Sequence, residues 1–123
     1  MKRWNGWGDE SIELEVNKDA LQFLQERIGA GTPMVDATLA QACKGIPPSR
    51  LPKHPLVDTR RETRLRNSLG HSLPDWLKMR SGKVGTVTDG VAFPESSEQV
   101  QDLLAYAKGC GASVIPLGGG TSV

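Results

Sequence analysis

The apolar positions of this chain fall into helical spacing in three places and into short extended runs in two. In "NKDALQFLQERIGAG", Leu21, Leu24 and Ile28 recur on one helix face. Asn17 is placed to cap the N-terminus, and Gly29 to take the left-handed position after the last turn. In "PMVDATLAQAC", Val35, Leu39 and Cys43 line up, and Pro33 sits where a first turn tolerates its missing N–H. In "ESSEQVQDLLAYAKGCG", Val100, Leu103, Leu104 and Ala107 form a stripe at i, i+3, i+4 and i+7. Ser96 is its expected cap, Gln99 holds the capping-box position, and Gly109 or Gly111 ends it. "DGVAFP" predicts a short strand over residues 91–93, stopped by Pro94, and "SVIPL" predicts a second. Strand, helix and strand at this length predict a βαβ unit with parallel strands and a right-handed crossover. The predicted class is α/β (α+β): a helical segment over 1–58, then a βαβ-containing part over 59–123.

Between these parts the periodicity stops. Pro47, Pro48, Pro52 and Pro55 crowd "GIPPSRLPKHPLVD" and predict a stiff, extended connector. The next stretch is basic: Arg50, Lys53, Arg60, Arg61, Arg64 and Arg66 stand against Asp58 and Glu62. It reads as a solvated helix face or as a face for an anionic substrate or cofactor. Nucleic acid is not expected, because no interleaved aromatics or known motif accompany the charge. At the start, "RWNGWGDE" predicts a tight turn at Asn5-Gly6 in an arm whose indoles, Trp4 and Trp7, dock on something larger or hold a flat ligand.

Composition narrows the choice little. Of 123 residues, 37% are hydrophobic and 24% charged, which argues against a disordered or fibrous chain. The formal net charge of +1 supplies no field toward nucleic acid or anionic membranes. No apolar run approaches the roughly 18 residues of a membrane helix, and no signal peptide is visible. Cys43 and Cys110 read as reduced, partly buried thiols, and His54 and His71 lack neighbours at metal-ligand spacing.

The strongest chemical cue is "VIPLGGGTSV", residues 114–123. A glycine-rich loop at the carboxyl end of a parallel strand is where α/β folds bind ligands. Successive N–H groups there can converge on an anion such as pyrophosphate, and Thr121 and Ser122 add hydroxyl donors. By that reading no Arg or Lys is required. A P-loop is excluded, since no Lys follows the glycines. The dinucleotide fingerprint is excluded too, since Val123 stands where its third glycine belongs. A plain glycine turn is the bland alternative.

The surrounding residues carry a resemblance. "WNGWG" near the start, "RLRNSLGHSLPDWLKMRSGK" and "DGVAFPESSEQVQDLLAYAKGCGASVIPLGGGTSV" resemble the amino-terminal part of flavoproteins of the vanillyl-alcohol oxidase / p-cresol methylhydroxylase family. Within it the chain is most similar to the alkyldihydroxyacetonephosphate synthases and bacterial FAD-linked oxidases. The match is dense over residues 60–123 and the first eight, and loose between. The resemblance implies the first βαβ unit of an FAD-binding domain of the p-cresol methylhydroxylase (PCMH) type. It also implies an FAD pyrophosphate loop made of Pro116, Leu117, Gly118, Gly119, Gly120, Thr121 and Ser122.

Further expectations follow from it: a small-molecule substrate, either phosphorylated or a 2-hydroxy acid; a homodimer at full length; and catalytic residues in parts that follow this segment in the family. Arg64 and Arg66 would suit a phosphorylated substrate. The resemblance also implies the front end of a longer flavoenzyme, marginally stable alone and binding FAD weakly or not at all. The expected location is cytoplasmic, or peroxisomal for a eukaryotic synthase. A stand-alone nucleotide- or phosphate-binding module, or an interaction module using the proline connector and tryptophan arm, is the competing reading.

Overall fold

Asn17 opens α1 (Lys18–Ile28): its side chain accepts from the N–H groups of Asp19 and Ala20. Two donors that a helix start leaves orphaned are satisfied in this way. Gly29 closes the helix at φ 84°, its N–H on the Gln25 carbonyl. Both ends lie where the sequence predicts them, but Gly29, with ψ 173°, does not take the left-handed helical conformation expected there. In this computed structural model, which describes residues 2–120, no residue of α1 is buried, and its apolar stripe stays open to solvent.

The second helix is shorter than its periodicity predicts. Thr38 Oγ1 accepts from the Gln41 N–H while Gln41 Oε1 accepts from the Thr38 N–H. This reciprocal box starts α2 at Leu39 (Leu39–Lys44) and leaves Pro33 and Val35 outside it. The basic stretch forms α3 (Arg61–Arg66), followed by α4 (Leu73–Arg80). Ser72 and Asp75 box the start of α4, and Pro74 sits in its first turn. The last helix, α5 (Ser97–Cys110), begins at Ser96, whose hydroxyl accepts from the Gln99 N–H. Gln99 Oε1 accepts from Glu95 N rather than from the cap residue itself. Gly111, at φ 70°, turns the chain out, and Ala112 N bonds back to the Ala107 carbonyl.

α2 packs on α3. The core cluster joins Ala42 and Ile46 to Leu65, Val84 and Val87, with Trp4, Leu39, Cys43 and Leu69 packed around it. It draws on both sides of position 58. Asp58 and Val91 exchange two backbone hydrogen bonds, at 2.8 and 3.0 Å, as an isolated antiparallel bridge. The proline connector is irregular, as expected, but it is not a free spacer. Tyr106 of α5 donates its hydroxyl proton to the Pro52 carbonyl at 2.6 Å. The His54 ring lies 4.5 Å from the Tyr106 ring, with Nε2 3.4 Å from Asp102 Oδ2.

The expected parallel strand pair is not formed among the described residues. Residues 92–94 and 112–117 carry no ladder, and the bridge at Val91 is antiparallel and made to Asp58. A strand is stabilised by a neighbour, and none lies alongside 112–117 among the described residues. Ile115 is accordingly 85% exposed. The stripe of α5 is only partly used: Ala107 is buried, while Val100 and Leu104 are exposed. The accessible surface is 9351 Å². A folded monomer of 13.3 kDa is expected to expose roughly 6,500 Å². A small core under so much open surface makes marginal stability the expectation.

Candidate functional site

The glycine loop is delivered by α5. After the left-handed turn at Gly111 the chain runs without regular structure through Pro116 and Leu117, then bends at Gly118 and Gly119. Gly120 follows at φ 66°, a conformation that disfavours any residue with a Cβ. Leu117, Gly118 and Gly119 are exposed. None of the N–H groups of residues 117–120 is spent on an acceptor among the described residues. A Cβ placed on Gly118 would meet nothing within 4 Å. Of the predicted set, Leu117, Gly118, Gly119 and Gly120 therefore form one open run of unspent peptide donors, and Pro116, which has no N–H, leads into it. Thr121 and Ser122 lie outside the described residues.

A cation stands over this loop. Lys2 Nζ is 3.5 Å from the Gly119 carbonyl, and a Cβ on Gly120 would lie 3.6 Å from it. Lys2 belongs to the amino-terminal arm, which folds back so that Lys2 bridges Asp9 and Arg3 N bonds the Gly8 carbonyl at 2.9 Å. The positive φ of this reversal falls at Gly8, 81°, and not at the predicted Asn5-Gly6 turn. Trp4 packs on the core cluster, and Trp7 meets Trp76 of α4 edge-on, with ring centroids 3.8 Å apart. The arm thus docks its indoles onto the body of the molecule. Arg66 fixes it from α3, donating to the Lys2 carbonyl at 2.8 Å and pairing with Glu10 at 3.2 Å.

His71 reports on the same corner. Burial, then the nearby Lys2 charge, hold its imidazole below the ordinary histidine pKa, against an opposing pull from Asp75. Sequence reasoning missed Lys2. It lies 117 residues from Gly119, and the only trace of its role is that the arm carries two indoles to anchor it.

Four cations of the basic stretch are engaged within the fold. Arg64 is 1% exposed, with Nε on the Thr88 carbonyl at 2.7 Å and Nη1 on the Pro47 carbonyl at 2.8 Å. Arg66 is engaged by Glu62, Glu10 and the Lys2 carbonyl. Arg60 grips Asp58, and Arg50 grips Asp89. Arg64 and Arg66 are structural cations here, because each finds its counter-charge or carbonyls within the fold. A cavity of about 350 Å³ under the connector, lined by Leu51, Lys53, His54, Pro55, Val57 and Thr59, is separate from the loop.

Cys43 and Cys110 are free and partly buried, and burial raises the pKa of the Cys43 thiol. Among the described residues, no cluster of His, Cys, Asp and Glu could hold a metal ion, and no helix is long and apolar enough to cross a membrane.

The architecture is that of part of a larger solved enzyme. Two structures of alkyldihydroxyacetonephosphate synthase, in crystal forms P1 and P212121, superpose on it with TM-scores of 0.72 and 0.69 at 20% identity. Each superposition covers 99% of this chain, and 29% and 28% of the respective enzyme chains. In sequence the chain is similar to alkyldihydroxyacetonephosphate synthase of Caenorhabditis elegans, 24% identical over an alignment of 149 residues that takes in 98% of this chain and 25% of that protein. The enzyme of the same name from Dictyostelium discoideum is 33% identical over 60 residues, which are 49% of this chain and 10% of that protein. No family model matches. The chain therefore spans about a quarter of the length of the curated relative it matches over nearly all its residues.

Proposed function

We propose that this chain carries the pyrophosphate-binding loop of an FAD site in an alkyldihydroxyacetonephosphate synthase-like flavoenzyme or an FAD-linked oxidoreductase. The observation that carries the reading is the open run of peptide donors at residues 117–120, in a chain similar throughout to alkyldihydroxyacetonephosphate synthase. The residues fit the group. A pyrophosphate is served by unspent N–H donors, close backbone approach and a nearby cation, and the loop with Lys2 offers all three. When bound, FAD would supply the redox chemistry. This chain would grip the diphosphate through the amides of Leu117, Gly118, Gly119 and Gly120, with Thr121 and Ser122 as further donors.

On the same reading residues 59–123 begin an FAD-binding domain of the PCMH type, and the segments flanking α5 belong with it to its first βαβ unit. A small-molecule substrate, phosphorylated or a 2-hydroxy acid, belongs to the whole enzyme, as does a homodimer. No catalytic residue is assigned to this chain.

The test is an NMR titration of the ¹⁵N-labelled chain with FAD. Weak, saturable shifts at the amides of residues 117–120 are expected. Saturable shifts elsewhere with an unmoved loop would overturn the assignment.

A further inference from the structure

Lys2 is placed with more care than a surface lysine needs. Its carbonyl is held by Arg66 Nη1 at 2.8 Å, its backbone bridges Asp9, and the arm beyond it is pinned where Trp7 meets Trp76 at 3.8 Å. These tethers deliver Nζ to Gly119 and Gly120. There it meets one carbonyl at 3.5 Å, the long limit for such a bond. A charged donor reaches 2.7–2.9 Å with a charged acceptor. The ammonium is therefore under-used by the protein, and it stands at a loop whose N–H groups have no acceptor among the described residues. Peptide amides supply direction but no net charge, and a diphosphate brings charge that amides alone leave uncompensated.

We propose that Lys2 is the cationic half of this anion site: the arm and the glycine loop together bind the diphosphate of a nucleotide, and Arg66 is the positioning residue that holds Lys2 over the loop. This rests on the reading of residues 116–120 as a pyrophosphate loop. It goes beyond it by making recognition depend on a segment more than a hundred residues away in sequence. It also gives the arm a purpose that docking its indoles does not.

The experiment titrates the ¹⁵N-labelled chain with inorganic pyrophosphate, and separately with orthophosphate, at constant ionic strength. The amides of Gly118, Gly119 and Gly120 and the Lys2 side-chain resonances are followed. Saturable loop shifts are expected, accompanied by a shift at Lys2, with pyrophosphate bound more tightly than orthophosphate. Lys2→Met should weaken binding about five- to tenfold, the size of one exposed charge-assisted bond, and Lys2→Arg should restore most of it. Arg66→Lys should weaken binding in the parent chain but have no effect in the Lys2→Met background, because the two act as one unit.

An unchanged pyrophosphate affinity in Lys2→Met, with saturable loop shifts intact, would overturn the role of Lys2 and leave the loop reading standing. Equal affinity for orthophosphate and pyrophosphate would overturn the diphosphate class. Loop amides that never respond to pyrophosphate in the parent chain would overturn the loop reading and this proposal with it.

Discussion

Arg64 donates from Nε to the Thr88 carbonyl at 2.7 Å, from a side chain that is 1% exposed in the middle of the core. The same guanidinium reaches the Pro47 carbonyl at 2.8 Å, and Asp89 Oδ1 lies 3.9 Å away. One planar cation thus ties α3 to the connector and to the segment before Val91. It explains how a stretch rich in arginine packs beside Leu65 instead of facing water.

Removing that fork should be among the most damaging single changes in the chain. Arg64→Met fills much of the volume but leaves two carbonyls without their donor, at about 1–3 kcal/mol each, partly recovered by water. A loss of about 2–4 kcal/mol is expected in urea unfolding. Arg64→Lys should recover little, because an ammonium cannot span two carbonyls set for a planar fork. A lysine variant as stable as the parent would show that charge, not geometry, holds the site.

Gly90 is a second fixed point, for steric reasons. A Cβ there would lie 2.5 Å from Val57 Cγ1 and 2.9 Å from Leu51 Cδ1. Gly90 precedes Val91 of the Asp58–Val91 bridge, so a shift that relieves this overlap bears on the bridge. Gly90→Ala should cost about 1–3 kcal/mol, in the range of overpacking a filled site. It should also speed amide exchange at Asp58 and Val91. Unchanged exchange at both positions would mean that the bridge tolerates the methyl group.

The carboxylates predict an acid limb. The Arg60 side chain holds the Asp58 carboxyl well below the usual range, and hydrogen bonding from Arg50 lowers the pKa of Asp89. For a group whose folded pKa is depressed, the stabilisation is full above the unfolded pKa of about 3.9 and is lost as pH falls toward the folded value. The contribution of these two carboxylates should therefore hold from neutral pH to about 5 and fall below about 4. Arg50 and Arg60 are mostly exposed, so added salt should flatten the limb. Asp58→Asn should remove part of it. Urea midpoints across this range check all three statements, and an acid limb unaltered in Asp58→Asn would count against the pairing.

Much of the helical skeleton was legible in the sequence, because caps are local. Asn17, Gly29 and Ser96 act where their neighbours say they should. The second helix was overextended because periodicity at Val35, Leu39 and Cys43 outvoted the Thr38–Gln41 box that starts it. Of the two expected strands only Val91 makes a bridge, since a ladder is a property of two segments and periodicity sees one. Arg64 was misread for a related reason. Its burial is decided by Pro47 and Thr88, which no local pattern links to it. The loop glycines were visible in sequence, whereas the lysine that stands over them was not.

The corner joining Lys2, His71 and Asp75 makes the last prediction. Burial and the Lys2 charge lower the His71 pKa, while Asp75 raises it. A histidine with a depressed folded pKa contributes stability that is full above its unfolded pKa of about 6.5 and lost as pH falls through the folded value. The chain should therefore lose some stability between neutral pH and the folded pKa of His71, before the carboxylate limb begins. Lys2→Met removes the repulsion but not the burial. The His71 pKa should rise part of the way toward its ordinary value, and the variant should lose less stability than the parent on acidification. An anion bound at residues 118–120 should push the pKa the same way by offsetting the Lys2 charge. Titrating the His71 ring protons by NMR in both chains, with and without pyrophosphate, reads each shift directly. A His71 pKa that is identical in the parent and in Lys2→Met would place the lysine charge too far from the ring to matter, and would detach the arm electrostatically from this corner of the fold.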